Sequence, residues 1–214
     1  MKTFTIGKKK IVLKEEWMVG FITTWIVGLL AHAYRFFNFL PIWDSIYNFT
    51  GVGSTYTLGR WFLGYAGLIT SMFDLPWVNG AFSLFYISIV VILLTEMFEI
   101  KNKGMIVLCA AIFVSFPTVV SSFAYMYTAD AYLLAFLLAT LAVYLTWCVK
   151  KWGTIAGMVC LAFAMGIYQA YATVAIVLVL LYIIRQFVIE KLDFLEAVRK
   201  DLKYLGMLVG GAVL

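Results

Sequence analysis

Residues 152–184 read WGTIAGMVCLAFAMGIYQAYATVAIVLVLLYII, 33 positions without one charge. A helix rises about 1.5 Å per residue and a bilayer's hydrocarbon core is about 30 Å thick, so one crossing takes roughly 17–25 apolar residues. The stretch is too long for one crossing and slightly short for two ordinary ones with a turn. The flanking charges decide between them. As one helix it would put Arg185, Lys191, Arg199, Lys200 and Lys203 across the membrane from Lys150 and Lys151, against the tendency of basic residues to stay on the cytoplasmic side. Two short or tilted helices over about 152–168 and 171–188, with a tight turn within Gly166–Tyr171, keep the basic clusters together. Arg185 then snorkels at the inner edge.

The rest of the chain has the same texture. Trp17–Tyr34, Leu75–Thr95, Gly104–Ala129 and Ala131–Val149 are also uncharged and long enough to cross, with a kink expected at Pro117. The reading is an all-α polytopic membrane protein of about six transmembrane helices, over 17–36, 76–98, 104–122, 130–149, 152–168 and 171–188, with a seventh starting near 204. Composition agrees. The 214 residues are 64% hydrophobic with a mean hydropathy of +0.99, and 13% are charged, where a soluble domain has about 25%. A soluble chain of this size buries only about 70% of its surface and could not hide so much apolar side chain from water. The apolar run Leu208–Leu214 has only just begun where the sequence stops, as expected of the N-terminal part of a longer protein.

Lys2, Lys8, Lys9 and Lys10 precede an apolar segment longer than a signal-peptide core and without a small-residue cleavage site, which reads as an uncleaved first span with the N-terminus inside. On that topology fourteen of the 16 basic residues and eight of the 11 acids are cytoplasmic. The net charge of +5 therefore reports topology and gives no reason to expect nucleic acid. Five charges remain outside: Arg35, Asp44, Arg60, Asp74 and Asp130.

The long outer loop, 37–75, carries Leu58, Trp61, Phe62, Tyr65, Leu68, Ile69 and Met72 at helical spacing. The uncharged part of that pattern is too short to cross, so an interfacial helix is expected over 57–73. Asn48, Gly51, Gly53 and Ser54 mark turns upstream of it.

No ionisable residue lies near the middle of a span, whereas ion-coupled transporters usually place charges or broken helices there. A carrier of lipid-linked sugars and a non-catalytic membrane subunit stay open as alternatives to an enzyme. Asp44, just past the first span, suits a general base facing an outside substrate, or caps a turn. Arg60, beside Trp61, suits a lipid phosphate, or snorkels to any headgroup. Asp74 and Asp130 begin spans and read first as helix caps, with sugar-hydroxyl binding as the alternative. Tyr125, Tyr127, Tyr168 and Gln169 sit at the depth of an aromatic belt and could equally stack on sugar rings. His32 reads as a packed, hydrogen-bonded histidine, and Cys109, Cys148 and Cys160 as buried thiols. No cofactor is expected. A divalent ion among the three outer aspartates has no coordination pattern behind it.

Several runs carry a family resemblance: AHAYRFFN at 31–38, Asp44-Ser45, GSTYTLGRWFLG at 53–64, LPWVNG at 75–80, FPTV at 116–119, FAYMYTADAY at 123–132 and GIYQAY at 166–171. Together they resemble bacterial membrane glucosyltransferases that decorate O-antigen and related surface glycans, and are similar to polytopic glycosyltransferases of the GT-C type. The resemblance implies a site on the outer face of the bacterial cytoplasmic membrane, a polyprenyl-phosphate-linked sugar donor, a surface-glycan acceptor and inversion at the transferred sugar. It puts the base at Asp44. Arg60 would then take the donor phosphate, and Arg35, Trp61, Asp74, Asp130, Tyr125, Tyr127, Tyr168 and Gln169 would line the substrate site. Family members are typically more than twice this long.

Overall fold

The computed structural model describes residues 2–6, 9–47, 57–70, 72–191 and 193–214. From Glu15 onward every regular element among the described residues is helical. Ahead of it lies one departure from an all-α chain, an antiparallel pair of strands, β1 (Lys2–Ile6) and β2 (Lys9–Leu13), in which Thr3 faces Val12 and Thr5 faces Lys10. The β-branched residues of these segments favour the pairing.

The first long helix, α1 (Glu15–Phe37), has Glu15 and Glu16 in its first turn and Arg35 in its last, each matching the helix dipole. A short α2 (Trp43–Tyr47) and α3 (Leu63–Ala66) follow in the connecting loop. Next comes α4 (Pro76–Met97), whose Pro76 occupies a first-turn position where no donor is missed. Its end is marked by Glu99 in the left-handed region (φ 52°).

The side chain of Asn102 accepts the Met105 N–H at 3.1 Å and caps α5 (Lys103–Ser115). A kinked span was expected over 104–122. Instead the helix ends before Pro117: Phe116 is extended (φ −64°, ψ 140°), and Pro117 opens a separate α6 (Pro117–Ser122). The residue before a proline is driven out of the helical region, and the proline itself supplies no N–H. A 3-10 turn at Phe123–Tyr125 then leads into α7 (Met126–Cys148). The rings of Phe113 and Phe136 lie 5.4 Å apart, where a straight helix would separate them by about 35 Å. The stretch is a helical hairpin. The chain continues through α8 (Gly153–Ile167), a 3-10 turn at Gln169–Tyr171, α9 (Ala172–Arg185), a π-turn at Gln186–Glu190 and α10 (Phe194–Val213).

Four stretches are long and apolar enough to cross a membrane: Glu15–Phe37, Pro76–Met97, the folded-back Lys103–Cys148, and Gln169–Glu190; Gly153–Ile167 is apolar and shorter. Polar links gather at the two ends of the bundle. At one, Glu96 accepts from Lys14 and from the Trp17 indole at 2.6 Å each, Lys103 pairs with Glu15 at 2.6 Å, Arg185 with Glu99 at 3.0 Å, and Lys203 donates to Thr146 O at 2.9 Å. Exposed pairs of this kind add about 0–1 kcal/mol each, so their role is register more than stability. Successive long helices alternate in direction between this basic end and the opposite one.

Packing between the helices does the rest, since apolar burial drives little association inside a bilayer. Ala131, Ala135 and Ala139 form a small-residue stripe on α7 that packs on Ala164 and Ile167 of α8, with Leu63 and Ala66 in the same cluster. Cys109 and Cys148 were expected to be buried; both are exposed on apolar helix surfaces, while Cys160 is half-buried.

Candidate active site

At the end opposite the basic cluster, residues 57–70 form a strap across the tops of α7 and α8. A continuous helix was expected over 57–73. Only α3 and a 3-10 turn at Gly67–Ile69 form within the described residues, because Gly59 (φ 72°) and Met72 (φ 55°) are left-handed and end the helical pattern on either side.

The strap docks on residues 166–169. Gln169 Nε2 donates to Leu58 O at 2.8 Å, and the Phe62 N–H donates to Gly166 O at 2.8 Å. That carbonyl lies in the last turn of α8, where helical partners run out. The Trp61 indole packs against Gly166, where an added Cβ would come within 2.5 Å of its ring. Phe163 packs on Trp61 and Phe62 at 5.5 and 4.6 Å between ring centroids. Between these contacts, the Arg60 guanidinium carbon stands 4.5 Å above the Tyr168 ring centroid. Among the described residues no carboxylate pairs with Arg60. The Tyr168 ring belongs to a cluster with Tyr132 and Tyr171 at 5.6 and 6.2 Å.

The other end of the strap is pinned by Asp130, which is 2% exposed. Thr70 Oγ1 donates to its Oδ2 at 3.0 Å and Asn79 Nδ2 to its Oδ1 at 3.2 Å, while Asn79 Oδ1 accepts the Leu75 N–H at 3.0 Å. The capping roles expected of the two aspartates therefore fall elsewhere. Since α7 starts at Met126, Asp130 sits past the orphan N–H groups of its first turn and turns to tertiary partners. At α4 the residue flanking the helix is Leu75, and its N–H is taken by Asn79.

Asp74 is the unusual acid. Both of its carboxylate oxygens are shut off from solvent and, among the described residues, accept no hydrogen bond, with Arg35 as a nearby charge. A buried acceptor left unsatisfied costs about 1–3 kcal/mol, more when charged, so this carboxylate is primed for a donor. Arg35 supplies none, because its guanidinium donates to Phe123 O at 2.8 Å, to Ala124 O at 3.2 Å and to Leu40 O. It staples the end of α1 to the 3-10 turn before α7.

Asp44 lies exposed on α2, which is started by a reciprocal bond pair between Ser45 Oγ and the N–H (3.0 Å) and C=O (2.8 Å) of Ile42. The turn markers Asn48, Gly51, Gly53 and Ser54 lie outside the described residues. Tyr125 is 43% exposed beside the Arg35 staple, whereas Tyr127 is buried. His32 is buried with Nε2 2.9 Å from Val114 O, a packed histidine. Among the described residues no three His, Cys, Asp or Glu side chains gather as metal ligands.

The structure thus brings Arg60, Trp61, Tyr168 and Gln169 into one cluster and Asp130 into the strap's second anchor. Sequence reasoning passed over Thr70, Asn79 and Tyr132. A carboxamide, Asn79, in the first turn of a mostly apolar helix is the one signal that could have marked the network.

A profile of the family described as Glucosyl transferase GtrII matches residues 33–214, the span that holds the strap, both its anchors and Asp44, Asp74 and Asp130. No curated protein and no solved structure gives a significant match.

Proposed function

Because the chain belongs to the GtrII glucosyltransferase family, we propose that it transfers a hexose from a polyprenyl-phosphate carrier to a surface glycan at the outer face of the bacterial cytoplasmic membrane. The basic end of the bundle faces the cytoplasm, six helical segments cross in the GT-C manner, and the strap lies at the outer surface. The observation that carries this reading is Arg60. A half-exposed guanidinium, held over Tyr168 with no carboxylate partner among the described residues, is a cation reserved for an anionic ligand.

The reaction follows from the groups at this end. An acceptor hydroxyl oxygen attacks the anomeric carbon of the carrier-linked sugar, and the bond from that carbon to the phosphate oxygen breaks with inversion. The phosphate departs with the electron pair as an anion, so it needs charge stabilisation more than a proton, and Arg60 supplies it. Asp44, exposed on α2 in the same loop, takes the hydroxyl proton, a role worth about 10²–10⁴ in rate. Asp74, whose two oxygens have no hydrogen-bond partner among the described residues, accepts hydrogen bonds from sugar hydroxyls. The aromatic cluster around Tyr168, with Trp61, offers ring faces for stacking, and Tyr125 lies exposed at the same end.

The test is transfer itself. Proteoliposomes holding the full-length protein receive a labelled polyprenyl-phosphate sugar and a glycan acceptor. Label found in the glycan supports the transferase; label that crosses the vesicle bilayer still bound to its carrier, with no glycosidic bond formed, replaces it with a carrier of lipid-linked sugars.

A further inference from the structure

We propose that Gln169 is a positioning residue for the donor phosphate: it touches no substrate and acts by holding the backbone of the strap so that Arg60 stands over Tyr168. This rests on the reading of Arg60 given above.

The strap's stretch from Leu58 to Phe62 meets the α8–α9 turn at Gln169, Tyr168 and Gly166, in that order, so the two segments run antiparallel against each other. Within this clamp the Gln169 side chain grips strap backbone. Its amide donates to Leu58 O, the carbonyl immediately ahead of Gly59. Gly59 is left-handed at φ 72°, and a Cβ placed there would lie 2.5 Å from Gln169 Nε2. The latch therefore needs a donor at 169 and no side chain at 59.

Arg60 follows directly. On the far side the backbone is already tied at Phe62, so the latch closes a short segment with both ends fixed and Arg60 at its centre. A long guanidinium side chain on a free loop would have to be ordered each time a donor bound; here the backbone is ordered beforehand. A carboxamide is suited to the task because a carboxylate could not donate to a carbonyl. Gln169 is exposed, which invites the reading that it touches sugar, but the Nε2 donor points at the strap.

The experiment is a double-mutant cycle on the full-length protein in membranes, with polyprenyl-phosphate glucose as the donor. Gln169→Leu keeps the size and removes the donor group. It is expected to lower kcat/KM for the donor about tenfold, the weight of one net hydrogen bond, through a higher donor KM and, because Arg60 also meets the charge developing on the phosphate, a lower kcat, while the acceptor KM stays within about twofold. In an Arg60→Ala background the same change is expected to add nothing, since the residue being positioned is gone. Gly59→Ala breaks the latch from its other side and should reproduce the pattern, which separates it from any special effect of leucine. A purely structural role would lower kcat and thermal stability equally in both backgrounds and overturns the proposal. So does a donor KM unchanged in Gln169→Leu while Arg60→Ala raises it. A donor KM unchanged in Arg60→Ala removes the phosphate role of Arg60 itself, and the latch with it.

Discussion

Thr70 and Asp130, sixty positions apart, meet at 3.0 Å in a buried hydrogen bond that fastens the end of the strap to the first turns of α7. With the docking of residues 58–62 on 166–169, this holds the strap at both ends. The candidate site is therefore built by long-range pairs on a helical frame.

Removing the Asp130 carboxylate strands two donors. Asp130→Ala is expected to destabilise the protein by about 1–3 kcal/mol, read as a lower thermal midpoint in detergent, with Thr70→Val giving a smaller loss. The two substitutions remove parts of one network, so the double variant should lose less than the sum of the singles; full additivity would show that the bond carries no coupling.

Gly166→Ala places a methyl group 2.5 Å from the Trp61 ring. The strap must lift or the indole must swing away, at about 1–3 kcal/mol. Activity should fall through a weaker donor KM. Trp61→Ala should cost less in the Gly166→Ala background than it does alone, since the seat of the indole is already lost, and full additivity would show that Gly166 does not position Trp61.

Arg35→Ala deletes two bonds, to the Phe123 and Ala124 carbonyls, that tie α1 to the α5–α7 hairpin, and a third to Leu40 O in the loop after α1. A loss of about 2 kcal/mol in stability is expected. The protein that remains folded should keep its donor and acceptor KM, because Arg35 works on the frame and not on the substrate.

Asp201 on α10 has its carboxyl raised above the ordinary 3.8 by burial, against the lowering effect of its bond from Gln186 and of Lys200 and Lys203, with Glu190 adding to the rise. A raised acid in the folded state means the native protein holds the proton more tightly than the unfolded chain. This contribution to stability is fully present below the unfolded value and is lost as pH climbs through the folded one. Stability should therefore drop as pH rises from about 4 towards neutrality. In Asp201→Asn that slope should flatten, and an unchanged thermal midpoint profile would assign it to another group.

Much of the frame is legible in the sequence, because helices in a bilayer must be long, apolar and bounded by charge. Pro117 marks its break, and the ion pairs of Lys14, Glu96, Glu99 and Arg185 join charges that the sequence puts at helix ends. The length of the interfacial helix is not legible: an apolar period through Leu58–Met72 looks the same whether or not Gly59 and Met72 turn left-handed. The anchors are hidden for a different reason. Gln169 to Leu58 and Asp130 to Thr70 are tertiary bonds between segments 111 and 60 positions apart, and no local pattern encodes such a pairing. Asp130 begins a charge-free run, so it looks like a cap until the helix start at Met126 is known.

In the proposed reaction Asp44, in the loop after α1, takes the acceptor's proton during sugar transfer. The most direct test of that step is kcat of Asp44→Asn for transfer from polyprenyl-phosphate glucose to the glycan, with the variant present at normal levels in the membrane. The expected kcat is lower by about 10²-fold or more with the donor KM unchanged; transfer at the unaltered rate would remove Asp44 from the proton transfer.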